Sequence, residues 1–202
     1  MDPYRDVDDL ARRIANDATA THLVDALEGA STICMIGWSG HLVDALARRG
    51  DIHALVVDSL GDGQDALRYL SRREVSCELV APEGLASAAE CADATILSAL
   101  AVGNDSVLCA GGSLALAAVA YCVEQPVWMV ASEGTRLPTG LFTAMVSGVR
   151  DRPDPWASGF DVVPHALVSS VFGPTITSGT SDTLARMSAC PVADELLRRS
   201  VV

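Results

Sequence analysis

Short unbroken apolar runs, alternating with longer helical segments, constrain this chain more than any other feature. The runs are Thr32 to Ile36, Ile52 to Val57, Cys77 to Val80, Ala94 to Leu97 and Pro126 to Ala131. Between them lie His41 to Arg49, Gly63 to Arg73, Leu85 to Cys91 and Ser113 to Val123, whose apolar residues recur at helical spacing. A strand with one wet face alternates apolar and polar residues. These runs do not, so each is expected to be buried on both faces, as in a parallel sheet covered by helices. Strands and helices in regular succession imply right-handed crossovers between parallel strands. The expected class is α/β, with a parallel sheet flanked by helices.

The flanks read differently. From Val7 to Glu28 the residues Leu10, Ile14, Ala18, Leu23 and Leu27 follow a helical period, and Gly29 is a suitable stop. This divides the chain into a helical lead-in over 1–30 and one domain over 31–202. Thr135 to Gly159 is rich in Gly and Pro and reads as loop, with one short helix at Leu141 to Ser147. Phe160 to Val163 reads as a late strand, Pro164 to Val171 as a helical turn and Asp194 to Arg199 as a terminal helix.

Composition excludes several function classes. Half the 202 residues are hydrophobic but only 4% are aromatic, so the core is built from Ala, Val, Leu and Ile. The net charge is −12 and all fourteen basic residues are Arg, which leaves no basic footprint for nucleic acid. Absence of Lys fits either a salt-adapted proteome or a GC-rich genome. The six cysteines include no CxxC pair and mostly sit in apolar segments, so they read as reduced core thiols. No apolar leader opens the chain, and no run of about 18 apolar residues follows. The expectation is a cytoplasmic protein with no membrane contact.

In an open parallel sheet, ligands bind beyond the carboxyl ends of the strands. The loop after Ile36 is Gly37-Trp38-Ser39-Gly40-His41, where two glycines admit an anion, Ser39 offers a hydroxyl and a helix start contributes free amides. It also reads as a plain turn with Ser39 as N-cap. The loop after Val57, Asp58-Ser59-Leu60-Gly61-Asp62-Gly63-Gln64, is acidic and glycine-rich, with Asp62 suited to cap the next helix. Gly111-Gly112-Ser113 opens an Ala-rich helix and is a second possible anion site, or again a simple cap. Neither GxGxxG nor GxxxxGK[ST] occurs, so no nucleotide cofactor is expected. The four histidines lack ligand-spaced partners, so no metal is expected. Gly37-Trp38-Ser39-Gly40-His41 is not a nucleophile elbow, because the second glycine is misplaced.

Taken in order, these loops resemble the translation initiation factor 2B alpha/beta/delta family, which includes methylthioribose-1-phosphate and ribose-1,5-bisphosphate isomerases. The resemblance covers about residues 30 to 172. Asp58-Ser59-Leu60-Gly61-Asp62-Gly63-Gln64 is similar to the family's acid, Ser or Thr, then Arg-Pro-x-x-Gln, but lacks the Arg and Pro. Ser98-Ala99-Leu100 through Gly112-Ser113-Leu114-Ala115-Leu116-Ala117 looks like its Gly-Ala-Asp to Asn-Lys and Gly-Thr stretch, and Phe160-Asp161-Val162-Val163-Pro164 like its closing Phe-Asp-x-x-Pro. The resemblance implies a Rossmann-like domain. The expected ligand site is Gly37, Ser39, Gly40, His41, Asp58, Gln64, Gly112 and Ser113, where two helix starts facing each other across the carboxyl edge of the sheet would bring Ser39 and Ser113 to one phosphorylated small molecule. The resemblance also implies a homodimer or related subunits as partners. The isomerases' catalytic Cys falls at or near Trp38 here, and no acid occupies Ser98-Ala99-Leu100. The expected function is a non-catalytic regulatory or assembly module, with no catalytic residue. The alternative is a divergent aldose-ketose isomerase working through His41, Asp58 or Cys109.

Overall fold

The computed structural model describes residues 3–175, 183–184 and 187–192. Two helices, α1 (Pro3–Ala15) and α2 (Thr19–Ala26), precede β1 (Thr32–Ile36). The chain then alternates through α3 (Gly40–Arg49), β2 (His53–Val57), α4 (Asp62–Ser71), β3 (Cys77–Val80), α5 (Leu85–Cys91) and β4 (Ala94–Ser98). A hairpin of β5 (Ala101–Val102) and β6 (Ser106–Ala110) leads to α6 (Ser113–Cys122) and β7 (Val127–Val130). After α7 (Thr139–Arg150) come β8 (Phe160–Pro164) and β9 (Ser170–Phe172).

Six strands form one parallel sheet in the order β3-β2-β1-β4-β7-β9. Both of its faces are covered over β1, β4 and β7, as their apolar runs require, but the run Cys77 to Val80 forms the edge strand β3, where Glu78 is exposed and no residue is fully buried. Along β1, Ile33 and Met35 face Leu23, Leu27, Leu42, Leu46 and Leu70 of α2, α3 and α4. Cys34 and Ile36 face the opposite core, with Leu85 of α5 and Leu116 and Ala117 of α6. Each fully buried Leu contributes roughly 1.5–3 kcal/mol from burial alone. Helix α3 starts on Ser39, whose Oγ accepts from Leu42 N at 3.4 Å, and ends on Gly50 in the left-handed region at φ 69°.

The five expected strands therefore share one parallel sheet. Several neighbouring segments differ from expectation. The lead-in is two helices broken at Asn16–Ala18, and α2 inserts Leu23 and Leu27 into the core. After β4, two strands that no apolar run announced, β5 and β6, form an antiparallel ladder extended by β8. The late strand at Phe160 thus belongs to this small sheet, where Leu108 and Val162 pack under Phe142 of a longer helix, Thr139–Arg150. The expected helical turn before Val171 is a 3-10 turn at His165–Leu167 followed by β9, the sixth parallel strand. The expected helix at Asp194 to Arg199 lies outside the described residues.

The register aligns the carboxyl ends of the strands: Ile36 pairs with Val57 and with Leu97, and Ser98 with Val130. From β1 the chain runs outward through β2 to β3, then returns to place β4 on the other side of β1. That reversal opens a crevice between the β1 and β4 loops, the usual ligand position in such sheets.

Candidate functional site

The crevice at the reversal is a cavity of about 550 Å³ whose lining includes Trp38, Ser39, Gly40, His41, Asp44 and Ser132, with Tyr69 and Arg73 on its α4 side. Gly37, which links β1 to this loop, has φ 78°, a left-handed conformation that favours glycine. Gly40 is exposed, and a Cβ there would meet nothing within 4 Å. The amides of Gly40 and His41 find no acceptor among the described residues, so the positive end of α3 is open to the crevice. The Tyr69 ring stands edge-on to Trp38 at 5.3 Å and lies under the Arg73 guanidinium at 4.1 Å.

His41 is held from behind. Its Nε2 lies 3.4 Å from Oδ2 of Asp17, a carboxylate whose side chain is 1% exposed. Asp17 sits at the break between α1 and α2, where it accepts from Thr19 N at 2.8 Å, from the Thr19 hydroxyl and from Glu133 N at 2.8 Å. Sequence reasoning missed Asp17 because the helical period runs straight through the break. It also missed Tyr69, Arg73 and Ser132, which come from separate elements and carry no shared motif.

A second cleft of about 300 Å³ opens on the other side of the β1 loop. It is lined by Ile36, Val57, Asp58, Leu60, Gly112 and Asp161, with Trp156 at its rim. Its carboxylates are already engaged with backbone amides. Asp58 accepts from Gly61 N at 3.1 Å and Gly63 N at 3.0 Å, so Asp58 and not Asp62 caps α4. Gly63 is needed for this cap, since a Cβ there would stand 2.8 Å from both Asp58 Cα and Oδ1. Oδ2 of Asp161 accepts from Gly112 N and Leu114 N, both at 2.9 Å, and fills the anion position at the start of α6. Ser59 Oγ donates to Gly111 O at 2.8 Å, and Gly111 N to Gly159 O at 2.8 Å, locking the three loops together.

The sequence-derived residues thus divide. Ser39, Gly40 and His41 line the first cleft and Asp58 and Gly112 the second, while Gly37 lines neither. Gln64 is exposed on α4 and lines neither, and Ser113 is fully buried beneath α6, so Ser39 and Ser113 do not face one ligand. Cys109 is also fully buried, and burial, reinforced by the Asp161 charge, raises its pKa, which keeps it a neutral thiol. His41, Asp58 and Cys109 do not converge on one pocket. Among the described residues, no group of three or more His, Cys, Asp or Glu side chains is placed to hold a metal ion, and no helix is long and apolar enough to cross a membrane.

A parallel sheet with helices on both faces and a crevice at its reversal point defines a Rossmann-like ligand-binding fold. The chain has the fold of the initiation factor 2B alpha/beta/delta group. It is similar to eIF2B beta from Chaetomium thermophilum at 17% identity and TM-score 0.64, covering 85% of this chain and 51% of that one. It is similar to translation initiation factor eIF-2B of Pyrococcus horikoshii OT3 at 16% identity and TM-score 0.64, covering 78% and 61%. It is also similar to 5-methylthioribose 1-phosphate isomerase of that organism at 16% identity and TM-score 0.61, covering 80% and 55%. The chain therefore spans between 51% and 61% of these proteins' lengths. No family model and no curated protein matches the sequence.

Proposed function

We propose that the chain is a non-catalytic, cytoplasmic module of the initiation factor 2B type that binds a phosphorylated small molecule in the first crevice and acts through contacts with related subunits or a second copy. One observation carries the ligand reading. At the starts of α4 and α6, which like α3 open at the carboxyl edge of the sheet, an internal carboxylate, Asp58 or Asp161, accepts from two amides, whereas no carboxylate accepts from the Gly40 and His41 amides of α3. Arg73 adds a cation that the second cleft lacks, and Asp44, the carboxylate on the crevice wall, is paired with Arg48. The non-catalytic part rests on the scattered positions of His41, Asp58 and Cys109 and on the protonated state of Cys109. One of the similar proteins was solved as a tetrameric complex of eIF2B beta and delta, which supports subunit contacts for this fold. A second reading, a divergent sugar-phosphate isomerase, is favoured by one feature, the Asp17-backed His41 in the crevice.

The test is a thermal-shift screen against sugar phosphates and nucleoside monophosphates, followed by calorimetry on the best ligand with wild type and Gly40→Val. A bound ligand raises the melting temperature by mass action. Gly40→Val should fold normally and lose binding, because the added side chain stands over the open amides. Unchanged affinity in Gly40→Val would show that the loop is only a turn. Turnover of methylthioribose-1-phosphate or ribose-1,5-bisphosphate that His41→Gln removes would select the isomerase reading.

A further inference from the structure

The second cleft has an opposite character from the first, and its rim is built at a conformational cost. Leu60 adopts φ 54°, in the left-handed region that disfavours a side chain, and the side chain so placed is 82% exposed. Burial inside this chain therefore does not compensate the strain. Glu74 and Glu124 share this conformation, but of the three only Leu60 lines a cleft. Leu60 leans over Gly159, with its Cδ1 3.1 Å from where a Cβ would stand. Across the same cleft Trp156 is 84% exposed. An exposed apolar patch around a formed cleft, with a Trp at its rim, has the anatomy of a protein-binding surface.

Charge selects the occupant. Asp58 and Asp161 line the cleft, Asp62 stands exposed beside it, and no Arg or His is among the lining residues. A carboxylate that accepts two amides retains acceptor capacity for a guanidinium or ammonium. A second copy, itself at −12, would set one acidic rim against another. We propose that this cleft docks a partner protein that inserts an apolar side chain flanked by basic residues. The inference rests on the assembly part of the proposed function and names the chemistry of the partner. It does not depend on the phosphate crevice, which lies on the other side of the β1 loop.

The experiment uses the full chain and three fluorescein-labelled synthetic peptides alternating Leu with Arg, Leu with Glu, and Ser with Arg, read by anisotropy. The Leu-Arg peptide should bind at least about tenfold tighter than either control, with the advantage over the Leu-Glu peptide shrinking as salt rises. Trp156→Ala and Leu60→Gly should each weaken it about tenfold, the scale of an interface hot spot. Leu60→Gly should keep or raise the melting temperature, since glycine accepts this backbone without strain. Equal binding of the Ser-Arg peptide would reduce the effect to bulk charge and overturn the proposal, as would unchanged binding in both variants. Sedimentation velocity on the chain alone separates the remaining cases. Self-association lost in Trp156→Ala makes a second copy the occupant and also overturns the proposal. Assembly untouched by that variant, with no peptide binding, leaves the assembly reading standing and removes only this one.

Discussion

Asp161 illustrates how one side chain decides what a site can hold. The sequence places Gly112-Ser113 at a helix start, where two glycines and a serine suit a phosphate. The folded chain brings a carboxylate from a residue 49 positions from Gly112 to the same amides. An anion is bound there already, and it belongs to the protein. The same carboxylate helps keep Cys109 protonated, which removes the one thiol that sequence reasoning offered as a nucleophile. Cys34 behaves alike, its pKa pushed up from 9.0 to about 12 by burial. The sign follows from the direction. These thiols bind their protons more tightly when folded, so their contribution to stability is complete below about pH 9 and falls as pH rises toward the folded values. Thiol labelling of the native protein should modify exposed Cys91 and Cys122 quickly, and Cys34 and Cys109 only at the rate of global unfolding. Fast native labelling of Cys109 would restore it as a candidate nucleophile.

At the scale of elements, continuous apolar runs are legible because a strand buried on both faces has no polar positions to confuse the period. The hairpin is not, because β5 has only two residues, Ala101–Val102, and pairs with a strand whose neighbour lies more than fifty residues on. Its position depends on Arg136, whose buried guanidinium donates to Val102 O at 3.1 Å and Leu137 O at 3.0 Å and also bonds Asn104. β9 escapes for a similar reason: three residues gain strand geometry only by adding to the edge at β7. Helix α6 is legible in its extent but not in its cap. Asp161→Ala should remove both amide bonds at its start and destabilise the protein by about 1–2 kcal/mol, measured by urea denaturation. An effect near zero would mean that solvent satisfies the Gly112 and Leu114 amides equally well.

The whole molecule carries −12 on 202 residues. Self-repulsion of that size opposes compaction, and salt screens it. Rising potassium chloride should therefore raise the melting temperature in a thermal-shift series, while a flat or falling curve would mean that attractive pairs such as Arg13–Glu133 dominate. By itself the sequence determined the α/β class and five of the six parallel strands, because each follows from local apolar spacing. It also placed Ser39, Gly40 and His41 at one strand end. Only the tertiary structure decided which loops share a cleft. Asp17 reaches His41 across a helix break, Asp161 occupies the Gly112 and Leu114 amides at the start of α6, and the β1 loop stands between two separate clefts. Such contacts join residues far apart in the chain. Spacing along a sequence reports the period of one element, whereas the meeting of side chains depends on how the sheet orders its strands.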